Sequence, residues 1–164
     1  MKSMRSLLLL SLAAVAFLMA GPAAKADPIS ITLDAPFQNS SALGETLTFT
    51  ATVMNLDSIN TVYLNGDAFN LDSPLTLDDS GFWTSAPLSL GPSASSGDFE
   101  LFTVYVPFGT PSGLYTGTFQ ILGGTDPSDL DVIGTADFDV NVTPEPSSLL
   151  LLGTGVAGLI GAVR

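Results

Sequence analysis

Glu45-Thr46-Leu47-Thr48-Phe49-Thr50-Ala51-Thr52-Val53 decides the fold. Leu47, Phe49, Ala51 and Val53 alternate with four threonines, so one face of the segment is apolar and the other wet. A period of two with β-branched polar residues on the second face is the pattern of a half-buried antiparallel strand, and no helix sustains it. The same period recurs on both sides. Upstream, Ile29, Ile31 and Leu33 alternate with Ser30, Thr32 and Asp34. Downstream, a strand is expected from Asp98 through Val106, where Pro107 ends it, and another from Leu114 to Leu122 with Tyr115, Gly117, Phe119 and Ile121 on one face. A last strand is expected where Ala136, Phe138, Val140 and Val142 alternate with Thr135, Asp137, Asp139 and Asn141.

Between these runs the chain is punctuated by turn formers. Asp34 to Gly44 reads as turn-rich, and Asn65-Gly66, between Val62-Tyr63-Leu64 and Ala68 to Leu71, suits a type I′ hairpin. Pro74, Asp78-Asp79-Ser80-Gly81 and Pro87 leave room for short edge strands around Leu75–Leu77, Phe82–Thr84 and Leu88–Leu90. Trp83, the single tryptophan, is expected in the core beside Phe82. Seven to nine short strands with frequent turns and no convincing helix predict an all-β antiparallel sandwich over residues 27–142. The expected core contains Phe49, Val53, Val104, Phe119, Phe138 and Val140.

The segment from Val106-Pro107 through Gly113-Leu114-Tyr115-Thr116-Gly117-Thr118-Phe119 resembles the closing strands of bacterial immunoglobulin-like domains. That resemblance implies an immunoglobulin-like sandwich in which Tyr115 forms a tyrosine corner, its hydroxyl bonded to backbone across the turn.

The two ends read differently from the middle. Lys2 and Arg5, an apolar run from Leu7 to Met19, and Ala24-Lys25-Ala26 form a signal peptide over residues 1–26, with cleavage by signal peptidase expected between Ala26 and Asp27. At the other end, Pro144-Glu145-Pro146-Ser147-Ser148 leads into Leu149 to Val163, which is apolar or glycine except for Thr154, and Arg164 follows. Fifteen helical residues reach about 22 Å and the seventeen from Ser147 about 25 Å, against a hydrocarbon core of ~30 Å, so a span over about 147–163 needs a locally thinned bilayer. The order of parts in residues 143–164 resembles the PEP-CTERM sorting signal of Gram-negative bacteria: Pro144-Glu145-Pro146, an apolar helix opening Leu149-Leu150-Leu151-Leu152-Gly153, then a basic end. The resemblance implies recognition by exosortase, a membrane protease, with cleavage near the tripeptide, and a setting of exopolysaccharide production. The family usually ends in several basic residues, where this chain has Arg164 alone. The expected route is export to an inner-membrane-anchored form, then to the cell surface or extracellular matrix.

Charge narrows the chemistry. Of sixteen carboxylates fifteen lie in residues 27–143, whereas all four Lys and Arg residues lie outside them and the chain has no His or Cys. Phosphate contacts rely on cationic side chains, so nucleic acid is excluded as a partner. No disulfide can form. Serine and threonine lack the usual base, and zinc lacks its nitrogen and sulfur ligands, so no catalytic residue and no resident cofactor is expected. Oxygen-only ligands on loops suit Ca²⁺, and the candidates are Asp126, Asp129 and Asp131, without the spacing of a twelve-residue EF-hand loop.

Three functions fit the residues. The first is a non-catalytic surface or matrix protein. The second is a carbohydrate- or Ca²⁺-dependent adhesion module, which needs Trp83 or Tyr105 exposed beside a groove or clustered loop carboxylates. The third is a glycoside hydrolase using a carboxylate dyad, which needs two carboxylates about 5 to 10 Å apart in a cleft.

Overall fold

The computed structural model describes residues 27–41, 44–143 and Thr154. The signal peptide, Pro144-Glu145-Pro146 and the span over 147–163 expected from the sequence lie outside the described residues, Thr154 excepted, as do both terminal helices of the expected fold. Among the described residues no helix is long and apolar enough to cross a membrane.

Among the described residues nine strands and one short helix between them follow in the order β1 (Ile29–Leu33), β2 (Phe37–Ser40), β3 (Glu45–Asn55), β4 (Val62–Leu71), β5 (Thr76–Asp78), α1 (Ser80–Ser85), β6 (Ser89–Leu90), β7 (Ser95–Val106), β8 (Gly113–Gly124) and β9 (Asp131–Val142). They form two sheets, of order β1-β3-β7-β5 and β2-β9-β8-β4-β6. The first has the connectivity of the four-stranded sheet of an immunoglobulin domain, and β4, β8 and β9 form its opposing three-stranded sheet. The chain is an immunoglobulin-like sandwich.

The alternation that suggested the fold also fills its core. Phe49, Val53, Val104, Phe119, Phe138 and Val140 are all buried. Phe49, Phe102, Phe119 and Phe138 meet between the sheets, with Phe102 stacked on both Phe49 and Phe119 at centroid distances of 4.8 and 5.0 Å. Gly117 faces Phe138 across the β8–β9 ladder, and a Cβ there would overlap the Phe138 ring. At one of the bulges in the β3–β7 ladder Phe49 pairs with Phe102 but Thr50 with Glu100, so Leu101 is an extra residue and is buried beside Phe102. Asn55 is a wholly buried polar residue, and its amide donates to the carbonyls of Asn60, Leu90 and Gly91.

Several sequence expectations are corrected. Asn65-Gly66 is no hairpin: β4 runs through it, and the pair sits at a register shift between Leu64 and Gly66. The turn-rich segment contains β2, which pairs parallel with β9, from Phe37↔Asp139 to Ser40↔Val142, so the sandwich is not wholly antiparallel. Phe82–Thr84 lies in helix α1, where Phe82 is buried and Trp83 is 59% exposed. The cause is packing. Only one of two neighbours on a short helix can face the core, and Phe82 fills that place against Phe119.

Candidate functional site

Three places collect chemistry: the acidic loop after β8, the carboxylates beside α1, and the chain's exit from β9.

In the acidic loop, Asp126 Oδ1 accepts from the Ser128 N–H at 2.9 Å and from the Ser128 hydroxyl at 2.6 Å. Asp129 Oδ2 accepts from the Asp126 N–H at 3.0 Å. The hydrogen bonds to Ser128, side chain first, hold the Asp126 carboxyl below its ordinary titration range. Asn65, from the β4 bulge, donates its amide to the Asp126 and Asp129 carbonyls at 3.2 and 2.8 Å. Asp129 and Asp131 line a cleft of about 140 Å³ with Asp57, whose two oxygens accept from Ile59 and Asn60. Asp126 and Asp129 thus build their own turn, as Asx residues do. Among the described residues no three acidic groups converge as metal ligands would.

Beside α1 the geometry is different. Asp67 pairs with Ile121 in the β4–β8 ladder, so its side chain shares the inward face with the core residues of β8. At this level β6 no longer covers β4, because it pairs only with Val62 and Tyr63. An inward charge on an uncovered edge also disfavours edge-to-edge pairing with another chain. Burial, then the neighbouring charge of Asp79 and a hydrogen bond shared with it, push the Asp67 carboxyl up to about 6, against a weaker opposing bond from Trp83. The Trp83 indole N–H donates to Asp79 Oδ2 at 3.3 Å, and its ring meets Phe82 edge-on at 5.3 Å. The indole is therefore fixed at its polar end and open on a face. Sequence reasoning missed this cluster because the inward placement of Asp67 depends on the β4 register after the bulge.

A second carboxylate pair lies on the other sheet. Burial and then the charge of Asp34 raise the Asp98 carboxyl, while Asp34 itself accepts from the Thr50 hydroxyl at 2.7 Å.

The third place is where the chain leaves the sandwich. Val142 is buried in register with Gly113 and Ser40, and the Thr143 N–H still donates to the Ser40 carbonyl at 2.8 Å. Residues 142–164 match the family model for the PEP-CTERM protein-sorting motif. The chain carries a PEP-CTERM sorting signal. The PEP-CTERM motif marks an exported protein, sorted and processed by exosortase, with the cell surface as its destination. Its first matched residue is the last strand residue of the fold, so no linker separates domain from signal.

No curated protein matches the chain. Among solved structures it is similar in shape to WR4, a member of the MSP family of C. elegans, at 12% identity, covering 69% of this chain and 97% of that one with a TM-score of 0.39. It is also similar to the E. coli alpha-2-macroglobulin segment from domain MG7 to the C-terminus, at 18% identity over 73% of this chain and 17% of that one, TM-score 0.45. A PapD-like domain of human CEP192 shares 13% identity over 78% and 95% of the two chains, TM-score 0.41. These likenesses transfer no function.

Proposed function

We propose that the protein is a non-catalytic component of the cell surface or its polysaccharide matrix, sorted by its PEP-CTERM tail and anchored in the inner membrane until that tail is processed. The observation that supports it is the direct succession of a complete sandwich and a sorting signal in one short chain. Mass spectrometry of the mature protein tests the reading. The expected result is a chain beginning at Asp27 and lacking every peptide from Leu149 to Arg164. An intact tail recovered from a strain with working exosortase overturns it in favour of a plain membrane anchor.

A second reading, carbohydrate binding, is favoured by one observation: Trp83 is 59% exposed and held in orientation by Asp79. An indole face packs against the C–H groups of a sugar ring, and flanking carboxylates accept its hydroxyls. A neutral sugar suits this domain, because a polyanionic one would meet its uncompensated negative charge. Titrating the indole fluorescence with fragments of the host's own exopolysaccharide should give a saturable change that Trp83→Ala abolishes. A signal indifferent to every fragment rejects the reading.

A further inference from the structure

The two ends of the sandwich are unlike, and the difference lines up with the place where the sorting signal leaves. The ladder registers put Ser40, Glu45, Val106, Gly113 and Val142 at one end. Asn55, Ser95, Gly123 and Asp131 lie at the other. The loops and strand ends of the far end carry Asp27, Asp57, Asp126, Asp129 and Asp131. Glu145 follows in the tail, and among the described residues the loops and strand ends of the exit end carry only Glu45 and Asp72. Both are turned back on their own chain: Glu45 accepts the Ser41 N–H at 2.8 Å, and Asp72 accepts the Thr116 N–H and hydroxyl at 2.8 and 3.0 Å.

Apolar groups stand out from the exit end. Phe108 is 76% exposed and Leu114 is 56% exposed, while Tyr105 at the rim is 45% exposed. Phe108 is presented by a fixed loop. Thr110 donates its N–H and hydroxyl to the Pro107 carbonyl at 3.2 and 2.7 Å, and the Tyr115 hydroxyl donates to the Pro111 carbonyl at 2.9 Å. Exposed Leu56, Ile59, Leu88, Leu130 and Val132 belong to the far end, where they are interleaved with its aspartates. Burying those residues in an interface would dehydrate ionised carboxylates, which costs more than the apolar contact returns.

Only three residues, Pro144 to Pro146, separate Thr143 from a span that opens at Ser147. Fully extended they reach at most ~11 Å. With the tail in a bilayer, the exit end is therefore held against the headgroups. We propose that this end is a membrane-docking surface: Phe108 and Leu114 enter the lipid interface, with Tyr105 at its margin, while the tail is attached. The proposal rests on the reading of residues 147–163 as a membrane span. A domain without cationic side chains gains nothing from anionic lipid, and two apolar residues alone bind a bilayer weakly. The short tether supplies the missing affinity by making contact intramolecular, and processing removes it. Docking thus holds the domain down before processing and lets it leave afterwards.

The chain has no cysteine, so one introduced cysteine takes a spin label uniquely. The full chain, kept intact in a host lacking exosortase, is placed in vesicles of phosphatidylethanolamine with phosphatidylglycerol. It is labelled in turn at Phe108→Cys, Leu114→Cys, Ile59→Cys and Leu152→Cys. The expected result is loss of collision with a water-soluble paramagnetic relaxant at 108, 114 and 152, and full collision at 59. Full collision at 108 and 114 with 152 still shielded overturns the docking surface and leaves the span standing. Full collision at 152 overturns the span, and the docking proposal falls with it. Phe108→Asp in the chain labelled at Leu114→Cys should restore collision at 114, and continued shielding there would show that Phe108 does not dock.

Discussion

At the scale of single residues, the immunoglobulin resemblance named the right atom. The Tyr115 hydroxyl bonds the Pro111 carbonyl at 2.9 Å, four residues upstream, as a tyrosine corner does. Tyr115→Phe should therefore cost about 1 kcal/mol, the worth of one hydrogen bond to backbone. Phe119→Ala should cost roughly 3 to 5 kcal/mol, because it opens a cavity where Phe82, Phe102 and Phe119 meet. Urea denaturation of the two variants checks the ratio. A loss at Tyr115 as large as that at Phe119 would mean that the corner organises more than one bond. The residues that stayed hidden in the sequence are those whose role depends on distant partners. Asn55 looks like a loop residue, yet it fastens the carbonyls of Leu90 and Gly91 from the buried end of β3. Trp83 looks like core because indoles usually are, and only the rotation of α1 decides between it and Phe82.

At the scale of elements, strands with one clean face were legible and elements made by tertiary contact were not. β3, β8 and β9 announce themselves because each buries every second residue. β2 has no such period: Phe37 is exposed and Ser40 buried, and the strand exists because β9 offers it an edge. Asn65-Gly66 carries the local chemistry of a hairpin turn, but the ladder with β8 continues past it, and the mismatch is absorbed as a bulge. Helix α1 is the clearest case. Too short to be stable alone, it is seated on β7 through Gly81, where a Cβ would lie 2.9 Å from the Glu100 carbonyl oxygen. Gly81→Ala should therefore lift α1 from β7, draw Phe82 off Phe119 and release the Trp83 indole from Asp79. The expected loss is about 1 to 3 kcal/mol, with a red shift of the indole emission. An unchanged spectrum would mean that Asp79, rather than the seat on β7, fixes the helix.

At the scale of the whole molecule, the governing fact is charge. Fifteen carboxylates with no cation among them repel one another more strongly in the compact state than in the expanded one. Screening shortens from ~10 Å at 0.1 M salt to ~3 Å at 1 M, so NaCl should raise the melting temperature. Protonation adds a second, signed effect. The folded-state value of Asp67 is about 6 against an unfolded value near 3.8, so between them the folded state holds more protons. Stability should fall as pH rises from about 4 through 6, by about 1 kcal/mol from Asp67 after allowance for solvent screening. Asp57, Asp72, Asp78, Asp126 and Glu45 work the other way. Hydrogen bonds to their carboxylates lower their values, so their stabilisation is complete above the ordinary range and lost as pH falls below it. The melting temperature should thus pass through a maximum at about pH 4 to 5, and Asp67→Asn should make its alkaline flank shallower, leaving the part due to Asp98, whose carboxyl is also raised, without moving its acid flank. Screening is separated from a specific cation site by melting the domain in Ca²⁺ and Mg²⁺ at matched ionic strength, with and without Asp126, Asp129 and Asp131 changed to Asn. Because Asp126 and Asp129 already accept bonds from their own loop, the two ions should shift the melting temperature equally. A calcium-selective rise that the triple change removes would move the acidic loop from turn-builder to ligand, and the protein toward calcium-dependent adhesion.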